Sequence, residues 1–108
     1  MLDKKKLDIE SRKILDGDLF VNGVNISVVK VLSDTQIEIL TYERGVGITN
    51  ACGSGAGAAA YASHKVQNSS KNIDVVMTGG NLKVEITKDD HILTIGDAKI
   101  VFKGSIKL

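Results

Sequence analysis

The chain has 108 residues, 43% of them hydrophobic and only 4% aromatic, with 14 basic and 13 acidic side chains and a net charge of +1. That length makes one domain or part of a larger one, with a core built from Ile, Val, Leu and Ala rather than aromatics. The balanced charge excludes the one-sided basic surface of a nucleic-acid binder, and a single cysteine excludes an internal disulfide or an all-cysteine metal site.

From the N-terminus, Leu7, Ile14 and Leu15 among charged residues predict a helix over residues 2–15, stopped at Asp16-Gly17-Asp18. The Lys4-Lys5-Lys6 run lies between Asp3, Asp8 and Glu10 and reads as solvated surface. Val24 to Leu32 is rich in β-branched residues and predicts a strand. Ser33-Asp34 turns the chain so that Gln36 to Tyr42 pairs back as a hairpin. Gly45, Gly47, Gly53, Gly55 and Gly57 then crowd together before a helix-favouring stretch that runs to about Val66. Ile73 to Met77, a Gly79-Gly80 turn and the alternating Leu82 to Thr87 follow, and His91 to Ile95 and Lys99 to Phe102 complete the strands. Ala56, Ala58, Ala59, Ala60 and Ala62 leave the second helix small on almost every side, as in a buried helix. The expected fold is therefore α+β, an antiparallel barrel-like sheet wrapped around a central Ala-rich helix. The N-terminus has no secretory h-region, and no run approaches the roughly 18 apolar residues of a membrane span. With a free thiol, this sets the expectation of a cytoplasmic protein without membrane contact.

The specific chemistry lies between Tyr42 and Ala56. A strand ends near Tyr42 and a helix begins near Gly53, so Cys52 falls at a helix N-terminus, where unpaired amides and the helix dipole favour negative charge. Gly53 and Gly55 let the backbone approach a ligand, and their amides with that of Ser54 suit a carboxylate or a phosphate. The other reading of Cys52 is a small hydrophobe packed in the core. A nucleotide site competes weakly: Gly53-Ser54-Gly55 lacks the Lys-Ser/Thr ending of a P-loop, and no dinucleotide fingerprint is present.

This segment resembles the signature around the second catalytic cysteine of the diaminopimelate epimerases. Glu43-Arg44-Gly45-Val46-Gly47, Thr49 and Ala51-Cys52-Gly53-Ser54-Gly55-Ala56 carry the likeness. Phe20 with Gly23-Val24-Asn25, Gly79-Gly80-Asn81-Leu82-Lys83-Val84, Gly96-Asp97-Ala98 and Val101-Phe102-Lys103-Gly104 extend it. The likeness runs from about Leu7 to the C-terminus, so residues 1–108 stand as a single domain equivalent to the family's C-terminal domain, with its N-terminal domain absent.

The resemblance implies interconversion of LL- and meso-diaminopimelate for lysine and peptidoglycan synthesis, with no cofactor and no metal. It implies that Cys52 is one of two catalytic cysteines, one abstracting the α-proton while the other donates from the opposite face. It further implies that Asn25, Glu43 and Arg44 bind the non-reacting end of the substrate, and that Gly53 and Ser54 hold the carboxylate at the reacting centre. Two positions depart from the pattern: Ile48 replaces a usual Glu, which removes a carboxylate beside the substrate loop, and Gly57 replaces a common Cys. His64 and His91 match no functional position.

Inversion by two bases needs a group on each face of the carbon, and this chain has one cysteine. The expectation is half of an epimerase, inactive alone, whether as an isolated piece, a remnant of a split or eroded gene, or one partner of a two-chain enzyme with a separate N-terminal half chain. Two other readings stand beside it. A non-catalytic ligand-binding module would keep the anion-holding helix start, and a self-associating domain would form homodimers through the apolar face left open.

Overall fold

A computed structural model describes residues 2–108. The elements run α1 (Lys4–Leu15), β1 (Ile26–Ser33), β2 (Gln36–Glu43), β3 (Gly47–Thr49), α2 (Gly53–Gln67), β4 (Asn72–Met77), β5 (Gly80–Ile86) and β6 (Ile92–Ile95). Asp3 caps α1 by accepting from the Lys6 amide at 3.0 Å, the usual service of a short acidic side chain to an orphan amide. On its outer surface Arg12 pairs with Asp8 and Lys13 with Glu10. Lys4, Lys5 and Lys6 are exposed, as a solvated run should be.

Strand β2 organises the sheet. Its side chains alternate faces: Ile37 and Ile39 join a core with Ala56, Ala59, Ala60, Ile73, Val75, Met77 and Val84, against α2. Leu40 and Tyr42 face the other way and pack with Leu7 of α1, joined by Leu15, Ile26, Val28 and Ile48. The result is three layers, with α1 on one face of the sheet and α2 on the other.

Six strands form one sheet in the order β1-β2-β4-β5-β6, with β3 paired to β2 off this path. One flank of β2 pairs antiparallel with β1 along its length. The opposite flank is shared: Gln36–Glu38 lie parallel to Asp74–Val76 of β4, and Thr41–Glu43 lie antiparallel to Gly47–Thr49 of β3. The sheet is therefore mixed, not antiparallel. Because the chain passes through α2 between β2 and β4, it re-enters the sheet in its original direction, as a parallel pair requires.

Nor does the sheet close. Strands β1 and β6 end the main path without pairing to each other, and β3 pairs with β2 alone, so the barrel-like expectation gives way to an open α+β arrangement. Only one side of α2 is covered: Gly55, Ala56, Gly57, Ala59, Ala60 and Ser63 are buried, while Ala58, Ala62, Lys65 and Val66 are exposed. The strand expected at Lys99–Phe102 is absent. Residues 96–108 form no regular element and are exposed throughout, with Val101 at 91% and Phe102 at 84%. A strand needs a partner edge, and this segment pairs with nothing among the described residues. No described helix is long and apolar enough to cross a membrane.

Candidate active site

The site grows from the loop that joins β2 to α2. Gly45 adopts φ +76° in the turn after Glu43, a conformation glycine reaches without the Cβ penalty, and the Val46 amide donates to the Glu43 carbonyl at 3.1 Å. The short β3 then returns along β2, a pairing that the glycine content of the loop had hidden. It delivers Cys52 to the start of α2.

Cys52 is the N-cap of α2, in extended conformation, and its Sγ accepts from the Gly55 amide at 3.3 Å. The sulfur thus takes the place usually held by a Ser or Asp oxygen at a helix start. Ser54 Oγ lies 3.5 Å from Cys52 Sγ. The residue is 8% exposed, yet Gly53 and Ser54 beside it are exposed. Their amides belong to the first turn, which has no intrahelical acceptors. A sulfur bonded to one first-turn amide and flanked by two open ones is a local site for negative charge.

Asn25 and Arg44 come together directly. The Asn25 carbonyl oxygen Oδ1 accepts from the Arg44 amide at 3.0 Å, and the Arg44 guanidinium donates to the Asn22 carbonyl. Gly23, at φ +73°, passes so near that a Cβ there would meet Arg44 Cδ at 2.9 Å. Only glycine fits the backbone and the space at once. Asn25 also lines an open groove with Val24, Ser27, Ser54, Gly55 and Ala58, so it shares a surface with the start of α2.

Glu43 ends β2, and Arg44 lies in the turn that follows. No ion pair joins them among the described residues. Instead Glu43 Oε1 accepts from Thr49 Oγ1 at 2.7 Å across the β2–β3 pair.

The two departures have packing explanations. Ile48 packs with the α1 cluster and sits opposite Tyr42, so a carboxylate here would enter an apolar contact. A Cβ on Gly57 would stand 3.2 Å from Ile92 Cγ2, and a larger residue would press on β6. His64 Nδ1 lies 2.6 Å from the Ser69 carbonyl, a helix-end contact remote in sequence from the site. No group of three or more His, Cys, Asp or Glu among the described residues is placed to hold a metal.

Two polar neighbours, Ser27 and Thr41, escaped the sequence reading, and Thr49 stood in it only as part of the signature. Ser27 and Thr41 are hydrogen-bonded at 2.8 Å on the sheet face under α2. The β1–β2 register places them opposite each other, so the hairpin expectation, carried one step further into exact pairing, would have found them.

A family model described as diaminopimelate epimerase matches residues 2–101. Similar proteins include a diaminopimelate epimerase of Methanocaldococcus jannaschii, 36% identical over 95% of this chain and 35% of its own length. A second, from Caldanaerobacter subterraneus subsp. tengcongensis, is 40% identical over 89% of this chain and 35% of its own. A third, from Bartonella henselae, is 40% identical over 85% of this chain and 32% of its own. The chain therefore spans about a third of the length of the curated relatives it matches. Among solved structures, the Bacillus anthracis phenazine biosynthesis protein of the PhzF family superposes with TM-score 0.59 at 14% identity, over 86% of this chain and 30% of that one. That likeness speaks for the fold alone.

Proposed function

The chain belongs to the diaminopimelate epimerase family, and on that premise we propose that it supplies one side of a two-base, cofactor-free site that interconverts LL- and meso-diaminopimelate in lysine and peptidoglycan synthesis. The observation that carries this reading is Cys52 at the N-cap of α2, its sulfur bonded to the Gly55 amide and flanked by Ser54. In this reading Cys52 takes or returns the α-proton on one face of the substrate, as general acid or base. The exposed first-turn amides of Gly53 and Ser54 hold the α-carboxylate, where charge builds as the proton leaves. Asn25, Arg44 and Glu43 bind the amino and carboxylate groups at the far end of the substrate. With no pyridoxal to spread the carbanion charge, such fixed donors and excluded water do that work.

Inversion requires a second group on the opposite face, and Cys52 is the chain's one cysteine. The partner base therefore comes from outside these residues. Solvent deuterium entry at the α-carbon tests this. The chain alone is expected to exchange nothing, and addition of the part of the M. jannaschii relative outside the matched region is expected to start exchange. Cys52→Ser should abolish it. Rapid exchange by the chain alone overturns the half-site reading, and a bound but inert mixture overturns the role of Cys52. The reduced thiol of the proposed site suits a cytoplasmic setting.

A second reading, association with another copy, is favoured by the exposed Ile100, Val101 and Phe102 and, separately, by Val66 on α2, since exposed apolar side chains gain by being covered. Sedimentation over a concentration range tests it, and a monomer at every concentration removes it.

A further inference from the structure

Beneath the first turn of α2 lies a hydroxyl pair, Thr41 buried and Ser27 half-buried at the edge of the open groove. Ser27 Oγ and Thr41 Oγ1 are 2.8 Å apart, and Thr41 is only 3% exposed. On the same face of β2, Ile37 and Ile39 are the neighbouring side chains and contain no polar atom.

Gly55 explains what the pair touches. A Cβ at this residue would lie 3.0 Å from Thr41 Oγ1, 3.1 Å from Cys52 Sγ and 3.2 Å from Ser27 Oγ. Two hydroxyl oxygens and the sulfur therefore close around one Cα. The amide of that residue is the donor to the sulfur, at 3.3 Å.

We propose that the Ser27–Thr41 hydroxyl pair is a positioning device for Cys52: it seats Gly55 against the sheet and so aims the Gly55 amide at the sulfur. The proposal rests on the acid–base reading of Cys52. An oxygen is smaller than a methyl group, so the helix start comes closer to the strands than Val or Ile at these positions would let it. The mutual hydrogen bond keeps both oxygens satisfied at that depth. Moving the first turn by a few tenths of an ångström would lengthen the amide–sulfur hydrogen bond that holds the sulfur in place.

Alkylation of Cys52 by iodoacetamide in the isolated chain tests this without any epimerase activity, so its outcome is separate from that of deuterium exchange. Thr41→Val, which puts a methyl where the oxygen lies, is expected to slow alkylation by about tenfold, the scale of one hydrogen bond. Thr41→Ser, which keeps the hydroxyl, should stay within about twofold of the native rate. Native alkylation in folded Thr41→Val overturns the proposal. So does equal slowing in Thr41→Ser, which would assign the effect to lost packing. If Thr41→Val does not fold, Ser27→Val is compared with Ser27→Thr, which keeps the hydroxyl, and a native rate in Ser27→Val or equal slowing in both overturns the proposal.

Discussion

The amide of Gly79 donates to the carbonyl of Asn50 at 2.7 Å, tying the turn between β4 and β5 to the segment that delivers Cys52. A Cβ on Gly79 would meet the Asn50 oxygen at 3.1 Å and its Cβ at 3.2 Å. The two strands of chain touch at their backbones, and neither has a flexible side-chain end to yield.

Gly79→Ala is therefore expected to lower stability by about 1–2 kcal/mol, as small overpacking does, and to change the rate of Cys52 alkylation. Urea unfolding and a thiol assay on the same sample check both. A variant with native stability and native thiol reactivity would show that the turn does not hold the Cys52 segment.

Asn25 offers a second test close to the groove. Asn25→Ala removes the acceptor of the Arg44 amide and should cost about 0.5–1 kcal/mol, the net worth of one partly solvated hydrogen bond. Asn25→Asp keeps an acceptor at that position and should recover most of it. Denaturant midpoints for the pair report the bond, and equal midpoints would mean it contributes nothing to stability.

The two sides of α2 should respond differently to the same change. Ala56 and Ala60 are fully buried against the sheet, so Ala56→Val or Ala60→Val is expected to cost about 1–3 kcal/mol through overpacking. Ala58→Val and Ala62→Val, on the exposed side, should cost under about 1 kcal/mol, mostly helix propensity. Equal penalties on both sides would contradict an open sheet and argue for a helix enclosed all round.

Lys65 carries a pH dependence of known sign. Its ammonium lies 3.4 Å from Asp90 and above the Tyr61 ring, and its pKa is raised, first by the hydrogen bond to Asp90 and then by that carboxylate's charge. A raised value in the folded state means the contribution is whole below the ordinary lysine range and fades as pH climbs through the folded value. The difference in Tm between the native chain and Lys65→Met should be small, as for any exposed pair. It should be constant near neutrality and vanish in strong alkali. A difference that grows with alkali would reverse the assignment.

Much of this could be read from residue order. The hairpin of β1 and β2 follows from β-branched runs on either side of Ser33-Asp34, and the position of Cys52 follows from a strand, a glycine-rich turn and an alanine run in succession. These are short-range signals, because side-chain period and turn chemistry act within a few residues. The family signature from Glu43 to Ala56 belongs with them, since it too is contiguous.

Tertiary structure alone decided which edges meet. The parallel contact of β2 with β4, the small β3 and the exposed stretch after Ile95 depend on what each strand finds beside it, and no local pattern carries that information. The same holds for Ser27 and Thr41, 14 positions apart. As residues they are ordinary strand hydroxyls, and they come to lie under a cysteine only because the helix that follows is packed across their face of the sheet.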